Sequence, residues 1–137
     1  MTMLPRGIRN NNPGNIRNSD SVDWRGEVAA HEKDDRAFEE FQTMPHGVRA
    51  MMKLLQNYQK KYGLNSIVAI IERYAPHFEN NTSGYVRRVS SEMQIPSTAP
   101  LDLEDKATMC ALVDAMILVE NGQKISPEDI EAGWDLL

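Results

Sequence analysis

From residue 43 onward, apolar side chains recur at helical spacing between recognisable start and stop signals. Thr43 followed by Pro45 predicts a helix start, and Gly63 its end. Val48, Met51, Met52, Leu55 and Tyr58 form the apolar face between them. Asn65 opens a second helix with Ile67, Ile70, Ile71 and Tyr74, stopped by Pro76. A third begins at Thr82 and carries Tyr85, Val86, Val89 and Met93, with Pro96 and Pro100 marking the break after it. Asp102 and Asp105 open the most apolar helix, which runs through Leu112, Val113, Ala115, Met116, Ile117, Leu118 and Val119 to Glu120-Asn121-Gly122. Apolar residues on most of its faces place it at the centre of the molecule. Ser126-Pro127-Glu128-Asp129 starts a last short helix, packed down by Ile130, Trp134 and Leu137.

Before residue 43 the pattern changes. Residues 6–17 hold Asn10, Asn11, Asn12 and Asn15 with two glycines and a proline, which favours turns over helix and predicts a structured loop. Residues 23–28 and 37–41 are short and partly aromatic, and predict a small two-stranded β-ribbon. The expected fold is mainly α with that one ribbon, in a single domain over residues 1–137. With 137 residues, 41% of them apolar, the chain can bury a core without a disulfide or metal. Cys110, the only cysteine, falls in the apolar run and reads as a small core residue.

A net charge of -5 argues against a nucleic-acid partner. Basic residues do bunch at Arg6, Arg9, Arg17 and Arg25, and again at Lys60, Lys61, Arg87 and Arg88. They read as solvated charge or as a local groove facing an anionic polymer. Residues 1–17 lack the apolar core of a signal peptide, and no run approaches a membrane span. Synthesis in the cytoplasm is expected, with export depending on another agent. His31, His46 and His77 are scattered, and neither a metal nor a cofactor is implied.

Glu120 is the sharpest chemical feature. It closes the most apolar helix, where the negative end of the helix dipole and apolar neighbours both disfavour a charged carboxylate. Such a setting holds an acid protonated near neutral pH, as a general acid for a glycosidic oxygen requires. The same carboxylate would be unremarkable if the helix frayed into solvent there. A second cluster runs from Phe78 and Glu79 through Asn80 to Tyr85. Asn81 or Thr82 caps the third helix, and Tyr85 in its first turn can aim a hydroxyl into a cleft. Asn11, Asn12 and Asn15 offer neutral amides suited to the hydroxyls and acetamido groups of a sugar polymer. Glu27, Glu32, Glu39 and Glu40 are candidates for the second carboxylate of a paired-acid glycosidase, and spacing does not choose among them.

Arg6-Gly7-Ile8-Arg9-Asn10-Asn11-Asn12-Pro13-Gly14-Asn15-Ile16 resembles the start of a family of small phage and prophage proteins often described as virion or structural proteins. The resemblance extends through Phe38 and Phe41, Gly47-Val48-Arg49-Ala50, Tyr74-Ala75-Pro76 and the stretch from Glu79 to Tyr85, nearly the whole chain. Tyr85-Val86-Arg87-Arg88-Val89 is also similar to a late motif of lytic transglycosylases. Glu120-Asn121-Gly122 looks like the end of the helix that carries the catalytic glutamate in that superfamily and in bacterial glucosaminidases. The order of these motifs is reversed here, which a circular permutation of a lysozyme-like domain would reconcile.

The resemblance implies a peptidoglycan-cleaving glycosidase of the lytic transglycosylase or muramidase type, acting on the β-1,4 bond between N-acetylmuramic acid and N-acetylglucosamine. Glu120 would be the acid and Tyr85 its aid, with Asn11, Asn12, Asn15, Glu79 and Asn81 binding substrate. It would act at the bacterial cell wall, carried there in a virion or released during lysis, with glycan strands and other virion proteins as partners. The alternative is a non-catalytic virion structural or glycan-binding protein of the same fold.

Overall fold

The computed structural model describes residues 4–77 and 80–137. Six α-helices lie among them: α1 (Arg6–Arg9), α2 (Met44–Tyr62), α3 (Ile67–Tyr74), α4 (Thr82–Met93), α5 (Lys106–Asn121) and α6 (Pro127–Asp135). The short α1 corrects the expectation of a purely looped N-terminus. A single turn forms after Pro5, and it ends where the Asn10 N–H donates to the Arg6 carbonyl and the Asn11 N–H to the Ile8 carbonyl.

The longer helices begin and end for local reasons. Thr43, Ser66, Asn81, Asp105 and Ser126 each accept a backbone N–H of the following first turn through their side chains. The cap of α3 is thus Ser66, one residue beyond the expected Asn65, and the cap of α4 is Asn81 rather than Thr82. Gly63 and Gly122 close α2 and α5 in the left-handed region that glycine adopts without penalty.

The core joins α2 to α6 in one cluster. Val48, Met51, Met52 and Leu55 of α2, Ile67, Ile70 and Ile71 of α3, and Leu112, Met116 and Ile117 of α5 are completely buried. Each such side chain contributes about 1.5–3 kcal/mol relative to exposure. Helix α5 packs against α1, α2, α4 and α6, so its centrality follows from its apolar girth. Leu137, expected to pack α6 down, is instead exposed. The link between α4 and α5 is fastened by α2: the Gln59 amide donates to the Leu101 carbonyl at 2.8 Å and accepts from the Leu103 N–H at 2.9 Å. Among the described residues no helix is long and apolar enough to cross a membrane.

The expected β-ribbon does not form. Among the described residues there are only two isolated bridges, Arg17 with Phe38 and Glu27 with Phe41. Residues 37–42 divide their backbone groups between two partners instead. Glu39 and Phe41 donate to Ile16 and Asn10 of the N-terminal loop, while Val28 donates to Glu40 and Gln42 to Gly26. Neither pairing lasts long enough to make a strand. Two side-chain clusters hold this irregular segment. The Asp35 carboxylate takes both a bidentate contact from Arg6 at 2.6 and 2.7 Å and the Asn10 amide at 2.9 Å. These partners hold it far below the usual carboxylate range. The Lys33 ammonium meets Glu39 at 2.7 Å and Glu27 at 3.2 Å, with Glu39 wholly buried.

Candidate active site

Glu120 lies in the last turn of α5, half-buried, where the helix end meets the N-terminal loop. The amide of Asn15 donates to its carboxylate at 2.9 Å and lies 3.4 Å from its backbone carbonyl. Burial pushes the Glu120 carboxyl above its ordinary pKa, opposed in part by the hydrogen bond from Asn15 and by Tyr85.

The loop reaches α5 because its own amides lock it. Asn12 is completely buried, donates to the Ile16 and Glu39 carbonyls at 2.9 and 3.0 Å, and accepts the Ile16 N–H. Asn11 donates to the Phe41 carbonyl at 3.1 Å. Asn11 and Asn15 sit at φ of 52° and 51°, the left-handed region that asparagine tolerates better than most residues. From the other side, Asn121 donates to the Pro13 carbonyl at 2.8 Å. Tyr74 donates to the Gly14 carbonyl. A side chain at Gly47 would place its Cβ 1.8 Å from the Asn11 carbonyl oxygen, so helix α2 and the loop meet backbone to backbone there.

Two tyrosines flank the acid. Tyr85 is buried on α4, and its hydroxyl has no hydrogen bond of normal geometry. Burial first, and then the nearby Glu120 carboxylate, push its pKa well up, and the same two causes act on Tyr74. Both phenols therefore keep their protons. The buried Asn121 Oδ1 also lacks a partner.

Glu120 separates two open hollows. One, of about 390 Å³, runs between Asn15, Arg17 and Phe38 on one wall and Tyr58, Arg73 and Tyr74 on the other. The second, of about 540 Å³, lies over Asn81, Gly84, Tyr85, Arg88 and Leu118. Asn80 and Glu120 border both, so together they form one cleft across the acid, within the roughly 300–1,000 Å³ typical of small-ligand sites. A larger hollow, about 670 Å³, lies elsewhere, between α5 and α6 around Cys110, Ile130 and Ala107. It is mostly apolar, and its acids Asp105, Glu131 and Asp114 are committed to a helix cap, to Lys106 and to Lys124.

Of the expected site residues, Glu120, Tyr85 and Asn15 come together, and Asn81 lies on the rim while it caps α4. Asn12 does not reach the cleft. It is an internal brace, as its complete burial requires, and Asn11 likewise spends its amide on the backbone. Glu79 lies outside the described residues. None of the four candidate second carboxylates lines the cleft: Glu27 and Glu39 are held by Lys33, Glu40 accepts the Asp35 N–H, and Glu32 is exposed beside His31. Sequence reasoning passed over Arg73, read Tyr58 as part of an apolar helix face, and named Asn80 and Asn121 within motifs without giving either a role in the site.

A curated relative aligns with this cleft-forming chain almost end to end. Protein P5 of Pseudoalteromonas phage PM2 is 42% identical over 134 residues, covering 95% of this chain and 80% of its own length. The chain belongs to the family of this phage protein. No family model matches it. Membership brings a bacteriophage origin and leaves the chemistry to be argued from the cleft.

Proposed function

We propose that this phage protein is a peptidoglycan-cleaving glycosidase with a permuted lysozyme-like fold, and that Glu120 is its general acid. The observation that carries the reading is a half-buried glutamate with a raised pKa, held at the end of the central helix and on the floor of an open cleft. Glu120 protonates the glycosidic oxygen between N-acetylmuramic acid and N-acetylglucosamine, the C1–O bond breaks, and the leaving sugar departs with that proton. Asn15 orients the carboxyl, and Tyr85 keeps an uncharged donor beside it.

Glu120 is the only carboxylate among the described residues lining the two hollows. That favours the transglycosylase route over paired-acid hydrolysis. A hydroxyl of the muramyl unit itself closes onto C1 and returns its proton to the Glu120 carboxylate. A virion-borne role fits a wall-cutting phage protein, with glycan strands as its partner. The same single carboxylate also favours a second reading, a virion protein that binds glycan without cutting it. Loss of turbidity of purified sacculi separates the two. Clearing that disappears in Glu120→Gln supports the enzyme, and no clearing by wild type supports the binder.

A further inference from the structure

The two hollows beside Glu120 differ in charge. In the first, the Arg73 guanidinium stacks over Tyr62 at 3.9 Å from the ring centroid and over Tyr58 at 5.2 Å. Tyr58 in turn meets Tyr74 edge-on at 6.5 Å, so an aromatic row leads from exposed Tyr62 to the acid. No carboxylate among the described residues lies within ion-pair distance of Arg73, although Arg73 is exposed and the chain as a whole is acidic. Arg17 and Phe38 form the facing wall, with the Arg17 guanidinium 5.1 Å from the Phe38 ring centroid. In the second hollow the only cation among the described residues, Arg88, is paired with Glu92 at 3.9 Å, and beside Glu120 the described polar lining is the amides of Asn80 and Asn81 and the Tyr85 phenol. A guanidinium stacked on aromatic rings has lost side-chain freedom and some hydration, and it offers its N–H fork to a carboxylate.

We propose that Arg73, on its tyrosine platform, binds the free lactyl carboxylate of an N-acetylmuramyl unit in a glycan strand stripped of its stem peptides, in the hollow that Arg73 lines, while the neutral N-acetylglucosamine unit lies over Asn80, Asn81 and Tyr85. This rests on the glycan-cleft reading and deepens it. It fixes which way the strand runs across Glu120, and it makes the cleft select peptide-free muramyl glycans over chitin.

The test compares wild type, Arg73→Gln and, as a charge control on the exposed flank of α2, Lys61→Gln. Dissociation constants are measured for a β-1,4-linked N-acetylmuramyl-N-acetylglucosamine disaccharide with a free lactyl carboxylate and for the neutral N,N′-diacetylchitobiose. Clearing of sacculi is recorded in parallel. Arg73→Gln should weaken the muramyl ligand about tenfold, in keeping with a lost charge-assisted hydrogen bond. It should leave chitobiose within about twofold, and Lys61→Gln should change neither. Equal effects on both ligands, no effect on the muramyl ligand, or no binding of either by wild type overturns the proposal. A charge-selective loss of binding without clearing leaves the proposal standing and removes the glycosidase. Clearing that Arg73→Gln leaves intact, with unchanged muramyl binding, does the reverse.

Discussion

Glu120 carries opposing demands. Burial favours its neutral form, whereas the Asn15 amide stabilises its charged form. Its folded pKa is raised, so its favourable contribution to stability is complete below the ordinary carboxylate pKa, about 4.3, and is lost as pH rises through the folded value. Glu120→Gln keeps the acceptor for Asn15 and removes the charge. Its melting temperature should match wild type at pH 4 and exceed it at pH 8. A variant less stable at both values would show that the carboxylate is needed for packing. Tyr85 presents a different case, since its buried hydroxyl has no regular partner in the fold. Tyr85→Phe should therefore melt at or above the wild-type temperature yet clear sacculi several-fold more slowly, and an unchanged rate would remove Tyr85 from the site. Glu120 was legible in the sequence because burial and helix polarity act along one helix. Arg73 was not, because its neighbours Tyr58 and Tyr62 belong to another helix and its cleft is closed by a loop far away in the chain.

At the scale of elements, the N-terminal loop is the part that makes a site from a helix end. Close approach to α2 helps position it, and Gly47 marks where the two backbones meet. Gly47→Ala would add helix propensity but drive a Cβ into the Asn11 carbonyl, and overpacking of this kind typically costs about 1–3 kcal/mol. Thermal unfolding should show that loss. An Ala variant as stable as wild type would mean that the loop is free to shift away from α2. Helix boundaries from α2 to α6 could be read within a residue or two, because caps and stop signals are local chemistry. The ribbon could not. Its aromatic pattern was real, but residues 37–42 pair with residues 10–18 as well as with residues 26–28, a division that no local pattern encodes. The asparagines were correctly read as a structured loop, but that Asn11 and Asn12 turn inward to the backbone while Asn15 turns to the Glu120 carboxylate depended on the same distant partners.

At the scale of the whole molecule, a core of apolar helices brings the two ends of the chain together, so that Asn15 meets Glu120 across 105 residues of sequence. Phage membership follows from the extended identity with protein P5, and the glycosidase reading rests on the cleft that this long-range contact completes. The decisive measurement is the clearing rate of purified sacculi by wild type and Glu120→Gln near neutral pH, with the released fragments weighed by mass spectrometry. The account predicts clearing by wild type, a loss of at least about 100-fold in the Gln variant, and fragments lacking the mass of an added water. Comparable clearing by Glu120→Gln, or none by wild type, would contradict it.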